Sequence, residues 1–297
     1  MDLRDVKRAV RVIRGLGPID LLSSSPPCTD FSSSGRRVER AGVAGLTVAC
    51  ARIAATLGPR CVWIENVPEM LRSSAWAEAR DTLVNAGFSV VVLRVNSAAC
   101  GVPQIRRRVF VLATRGCDAA VLHRVEQAAA GYSKTPADAP TVRDCLDDPS
   151  ADTYWYNARS SHSSCVRSAD APAPTLRCNC LAPPPAHYEA RHDDAGGIGD
   201  AHVLSVSEMA RVASFPPSYF EICTRTAAGR MIGNCVPPQM AEQVAQWCLE
   251  LLRAPVSTTE RPICLVTMRR HAQRVSRLHR LVDLGLLDKG AVLTDGT

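Results

Sequence analysis

Pro18-Ile19-Asp20-Leu21-Leu22-Ser23-Ser24-Ser25-Pro26-Pro27-Cys28-Thr29-Asp30-Phe31-Ser32 is the stretch on which the fold turns. Residues 19–23 form a short apolar run that ends in a serine-proline turn, the mark of a buried strand. Two prolines fix the backbone just before Cys28, so a thiol is held rigidly at a strand's carboxyl end. Cysteine is the best soft nucleophile among side chains, and a few per cent is thiolate near neutral pH even when unperturbed. The segment alone also allows Cys28 to be one more buried thiol.

Working outward, apolar runs alternate with helical patterns. Residues 5–14 read as a helix, 45–57 as a second, 61–66 as a strand, and 74–86 as a helix after the turn Glu65-Asn66-Val67-Pro68-Glu69-Met70. The β-branched runs 88–95 and 109–113 predict further strands. This alternation predicts an α/β fold with a mostly parallel, doubly wound sheet, whose chemistry gathers at the carboxyl ends of strands. After about residue 131 periodicity fades and Pro, Ala, Ser, His and Asp dominate, which predicts a small loop-rich lobe. Helices return at 205–213, with Ser205 as cap and Glu208 three residues on, and at 239–252 behind Pro237-Pro238. The tail from 254 offers a short strand at 263–268 and a basic helix over 269–284. That helix, with Arg269, Arg270, Arg274, Arg277 and Arg280 beside Leu278, Leu281 and Leu284, reads as a DNA or partner surface or as a solvated amphipathic face.

Composition narrows the class. The 297 residues are 46% hydrophobic and 22% charged, which suits a folded globular chain rather than a disordered one. No apolar run approaches the roughly 18 residues of a bilayer span, and the charged start MDLRDVKRAVRVIRG is unlike a secretory signal, so a cytoplasmic protein is expected. Thirteen cysteines, an odd number in a long chain, read as mostly reduced, buried thiols rather than a disulfide scaffold. Cys178 and Cys180, with Cys165 and His162 nearby, lack the second matching pair of a zinc site, and no metal is expected. The formal charge of +6 is compatible with a polyanionic partner without requiring one.

Three further segments carry chemistry-bearing residues. Trp63-Ile64-Glu65-Asn66-Val67-Pro68 ends an apolar strand in a carboxylate and an amide. A buried carboxyl there can exchange a proton with a substrate ring, or simply cap the next helix. In Gln104-Ile105-Arg106-Arg107-Arg108, strand alternation predicts Gln104, Arg106 and Arg108 on one face, as an anion- or base-binding row or as a solvated surface. Ile232-Gly233-Asn234-Cys235-Val236-Pro237-Pro238 closes the series.

In that order and spacing the four segments resemble the DNA (cytosine-5) methyltransferase family. Pro18 to Leu22, and Leu204 to Pro216 in LSVSEMARVASFP, are similar to further family segments, so the resemblance covers roughly residues 2 to 252. It implies a Rossmann-like S-adenosylmethionine-dependent sheet with a small target-recognition lobe. The implied division is a partial catalytic domain over 1–143, the lobe over 144–203, a return to the catalytic domain over 204–253 and a basic extension over 254–297.

The resemblance also assigns roles. It implies that Cys28 adds to C6 of a cytosine extruded from double-stranded DNA, that Glu65 serves N3, and that Arg106 and Arg108 hold the base and its phosphates. Asp2, Pro26 and Asn234 would touch S-adenosylmethionine; Gln104, Thr175 and Arg177 would touch DNA. In the lobe, Arg159, His162, Arg167 and Asn179 are further candidates for the groove.

The pattern breaks at one place. The family's glycine-rich strand-turn-helix is expected before Cys28 and is not found there; Gly196-Gly197-Ile198-Gly199 follows no strand and does not replace it. A separate subunit, a different start and a degenerate copy are the three readings of this. Rival functions are a tRNA-methylating branch of the family, C5 alkylation of a free nucleotide, and a non-catalytic DNA-binding subunit.

Overall fold

A computed structural model describes residues 2–27, 44–157, 164–255 and 262–265. Cys28, Arg159, His162 and the basic segment 269–284 lie outside the described residues.

Helix α1 (Val6–Arg14), capped by the Asp5 carboxylate, leads into strand β1 (Leu21–Ser24). Then follow α2 (Ala44–Leu57), β2 (Cys61–Asn66), α3 (Ser74–Asn85), β3 (Phe88–Asn96), β4 (Arg107–Arg115) and α4 (Ala119–Ala130). Strand order is β1-β2-β4-β3. The pair β1–β2 is parallel, whereas β4 runs antiparallel to both β2 and β3. The sheet is therefore α/β as expected, but mixed rather than mostly parallel. The cause is the β3–β4 connection, residues 97–106: parallel neighbours need a crossover of a dozen or more residues, and this link turns straight back.

Two apolar layers cover the sheet. Helices α2 and α3 bury Val48, Ala51, Trp76, Ala79 and Leu83 against Val62, Ile64, Val90 and Val111. On the opposite face α4 and the last described helix, α7 (Pro238–Arg253), pack Leu122, Val125, Val244 and Trp247 against Val91, Leu93, Phe110 and Leu112. Strand β3 is bridged at its outer edge by Cys264, through Val90, which is the part of the expected 263–268 strand that lies among the described residues.

A second core belongs to the lobe. Its hairpin, β5 (Thr153–Tyr156) with β6 (Cys165–Ser168), is joined by α5 (Val206–Val212) and α6 (Arg225–Asn234). Apolar packing runs across the expected boundary at 203/204: Met209, Val212, Phe220, Ala228 and Ile232 share one cluster with Tyr154, Tyr156, Leu176 and Leu181. Of helices α5, α6 and α7, it is α7 that packs on the sheet. The twelve described cysteines are all free, and burial pushes Cys100 and Cys180 up to about 12 and Cys145 up to about 11, which keeps these thiols inert. Among the described residues no helix is long and apolar enough to cross a membrane.

The junction between β5 and α5 is tied by one buried carboxylate. Glu208 is 1% exposed and forms the expected capping box with Ser205. It also accepts from the Asp147 amide at 2.9 Å and lies 2.9 Å from His202 Nε2. Burial works against the charge, but the amides of Asp147 and Ser205 and the His202 ring outweigh it and hold the carboxyl below its ordinary range. A carboxyl depressed on folding stabilises the fold above its unfolded pKa of about 4.3, and that contribution is lost as pH falls through the folded value. Glu208→Gln should therefore cost about 2 kcal/mol at neutral pH and flatten the acid limb of stability; urea melts at pH 7 and pH 4 measure both.

Candidate active site

Strand β2 ends in Glu65 and Asn66, and both side chains act on the turn that follows β1. Ser25 donates its hydroxyl to Glu65 Oε2. Asn66 Nδ2 donates to the Pro26 carbonyl at 3.0 Å, while its Oδ1 accepts from the Val67 amide at 2.8 Å. Parallel pairing of β1 with β2 puts the two carboxyl ends side by side, so these short side chains can reach. Pro26 is buried by this contact. Ser25 was not singled out in the sequence; its place directly before the diproline was the available signal.

Glu65 is 6% exposed, and its second oxygen lies 3.1 Å from Arg108 Nε. Glu65 pairs with Phe110 across the sheet, and Arg108, two residues before Phe110, lies on the same face. Fixed charges of opposite sign thus meet at the carboxyl end of β2. Cys235 lies close enough to feel Arg106, Arg108 and Glu65; burial pushes its thiol up while the two arginines pull it down. That neighbourhood went unnoticed in the sequence because Cys235 is distant from all three along the chain.

The expected row of Gln104, Arg106 and Arg108 splits. Strand β4 starts only at Arg107, and before it the Ser97 hydroxyl donates to the Gln104 carbonyl and accepts from the Arg106 amide. The side chains of Gln104 and Arg106 are buried toward the lobe instead of joining Arg108 at Glu65. Gln104 Oε1 accepts from the Leu176 amide at 3.1 Å. Arg106 donates to the carbonyls of Leu176 at 3.2 Å and Gly233 at 3.0 Å.

Of the other expected residues, Thr175 donates its hydroxyl to the Ile105 carbonyl at 2.8 Å, and its own carbonyl accepts from Tyr156. Arg177 stands beside the Tyr156 hydroxyl and is half-buried. Asn179 is exposed and donates to Asn157 at 3.1 Å. Asn234, at the end of α6, is exposed and accepts from the Cys178 thiol. Asp2 is far from free: Arg4 grips its carboxylate at 2.7 Å and holds it down to about 2. Among the described residues no group of three or more His, Cys, Asp or Glu side chains is gathered to hold a metal ion.

Gly233 permits the closest approach in this region. A Cβ there would stand 2.2 Å from the Cys178 nitrogen and 2.3 Å from the Arg177 carbonyl carbon, both rigid backbone. Gly233→Ala must push the 177–178 segment away and should cost about 1–3 kcal/mol, read as a lowered Tm.

Comparison with known proteins decides the family. The profile of "C-5 cytosine-specific DNA methylase" matches residues 2–172 and 183–250. This chain belongs to that family. It is a DNA cytosine-5 methyltransferase, and the family's methyl donor is S-adenosylmethionine. Curated relatives include the Type II methyltransferase M.HgiDI of Herpetosiphon aurantiacus, 33% identical over 81% of this chain and 76% of its own length. Another is M.HindV of Haemophilus influenzae, 30% identical over 86% and 83% of the two chains. Among solved structures, the Dnmt2 methyltransferase of S. pombe shares the fold at TM-score 0.60 and 17% identity, over 85% of this methyltransferase and 84% of that chain. Ser25, Pro26, Glu65, Asn66 and Arg108 are joined by direct contacts at the carboxyl ends of β1 and β2.

Proposed function

We propose that this methyltransferase acts on cytosine in duplex DNA with Cys28 as nucleophile and Glu65 as the acid that serves N3. The observation that carries the reading is the tie between the two strand ends, Ser25 to Glu65 and Asn66 to Pro26. Cys28 follows Pro26 by two peptide links, at most about 7 Å of chain. The nucleophile is thereby tethered to the strand end that carries the acid. The family match and the Type II methyltransferase relatives favour DNA over tRNA and a catalytic over a purely binding role.

The target base has to leave the stack, because C6 is shielded within it. Cys28 Sγ then forms a bond to C6, and the ring electrons shift toward N3, where the Glu65 carboxyl delivers a proton that it takes up from solvent as the base binds. Neutralising N3 makes C5 an enamine carbon. S-adenosylmethionine, when bound, supplies the electrophilic methyl group that C5 takes up. Loss of the C5 proton to water re-forms the C5–C6 double bond and expels the Cys28 thiolate, and Glu65 takes back the N3 proton. Arg108, 3.1 Å from Glu65, orients that carboxyl and offers its guanidinium fork to a flanking phosphate. Arg177 and Thr175 belong to the segment that faces DNA.

The described residues fit one side of the methyl donor. Pro26, buried at the end of β1, and Asn234, exposed at the end of α6, would flank it, whereas Asp2 must first exchange its Arg4 partner. The family's glycine-rich element would pair along β1. Among the described residues β1 pairs only with β2, and Leu21 on β1 is exposed.

The test is covalent trapping. Incubation with S-adenosylmethionine and a duplex carrying 5-fluorocytosine, with and without the product of the preceding reading frame, should give a denaturant-resistant DNA adduct. An adduct that persists in Cys28→Ser, or none in either setting, sinks the reading.

A further inference from the structure

We infer that Gln104 and Arg106 are positioning residues, which stitch the 173–177 segment and the Gly233 turn to the sheet and so set where Arg177 stands relative to Glu65 and Arg108. The inference rests on the reading of that segment as facing DNA.

The stitch is built in two layers. In the backbone, Ile105 donates to the Ala173 carbonyl at 2.7 Å and Ala173 to the Pro103 carbonyl at 2.9 Å, a parallel bridge between Gln104 and Ala173. The side chains then extend it. Gln104 receives the Leu176 amide, Thr175 reaches back to the Ile105 carbonyl, and Arg106 grips the Leu176 carbonyl with one arm and the Gly233 carbonyl with the other. Leu176 is thus held by both its amide and its carbonyl, and Arg177 is the next residue.

Burial separates this role from DNA contact. Gln104 is 1% exposed and Arg106 is 2% exposed. A guanidinium so enclosed cannot reach a phosphate unless the lobe opens. Two carbonyls from separate segments, held at 3.2 and 3.0 Å, use the planar fork that only arginine presents. Arg108, in contrast, faces the Glu65 carboxylate. Alternate residues of one motif therefore do different work: Arg108 serves the reaction centre, while Gln104 and Arg106 hold the reading segment in register with it.

The experiment uses the full chain, its Gln104→Met, Arg106→Met and Arg106→Lys variants, and a duplex that the wild type methylates, together with its partner subunit if one is required. Amide hydrogen exchange over residues 173–179 should speed up about tenfold or more in Gln104→Met and Arg106→Met, with partial recovery in Arg106→Lys. KM for DNA should rise about tenfold while kcat at saturating DNA changes less than about threefold. The dependence of log K on log salt should keep the wild-type slope. A slope reduced by about 0.9, the signature of one lost phosphate contact, with exchange over 173–179 unchanged, overturns the inference, as does a fall in kcat at constant KM. Should Arg106→Met fail to fold, the uncharged Gln104→Met decides by the same three measurements. Failure of the wild type to trap 5-fluorocytosine would sink the DNA-methylation reading instead, and the exchange data would still report on the stitch.

Discussion

Cys28→Ser should abolish the covalent adduct and lower methyl transfer by on the order of 10⁴-fold or more, because the variant removes a bond made on the reaction path and not a binding contact. A serine hydroxyl is almost entirely un-ionised near neutral pH, whereas a thiol presents a few per cent of thiolate and is intrinsically the better nucleophile toward carbon. Duplex binding should stay within about threefold of wild type, since the sulfur's contribution belongs to the transition state. Single-turnover methylation with labelled S-adenosylmethionine, set beside a gel-shift titration, separates the two. Equal losses in both would place Cys28 in binding or folding and remove it from the chemistry.

Glu65→Gln should lower the single-turnover rate by about 10²–10⁴-fold, the usual worth of a positioned proton donor with its electrostatic partner. The amide can still hydrogen-bond N3, but it cannot deliver a proton as charge builds there. The variant also leaves Arg108 facing a neutral group, so stability should fall by about 1–2 kcal/mol, an effect that a urea melt detects independently of rate. Both carboxyl oxygens already have partners in Ser25 and Arg108, which argues that the acid is held in place before substrate arrives. If Glu65→Gln retains the wild-type rate, N3 is served by another group and the proposed pocket is wrong.

The legibility of the site varied with the distance over which its residues interact. Glu65 and Arg108 were each singled out in the sequence, but their pairing was not, because it depends on the antiparallel register of β2 and β4. The Ser25 contact was missed for want of any periodic signal. Gln104 and Arg106 were assigned to the wrong neighbours, since alternation was extended to residues that precede the strand; there the local hydrogen bonds of Ser97 and the packing of the lobe govern side-chain direction. The expected parallel sheet failed for a related reason: helix-strand alternation announces α/β order, but strand direction depends on whether the 97–106 link crosses over or turns back. Helix α6 and the β5–β6 hairpin went unread because the lobe's elements are short and their apolar faces are completed by residues far along the chain.

The sequence by itself determined the α/β class, the family, the order of the catalytic segments and the capping box at Ser205, each of which depends on residue types at short or ordered spacing. Only the tertiary structure decided the antiparallel course of β4, the packing of α5 and α6 with the lobe, and the different partners of Arg106 and Arg108. Those features arise from contacts between segments far apart in the chain, where burial and the need to satisfy backbone amides and carbonyls outweigh local pattern.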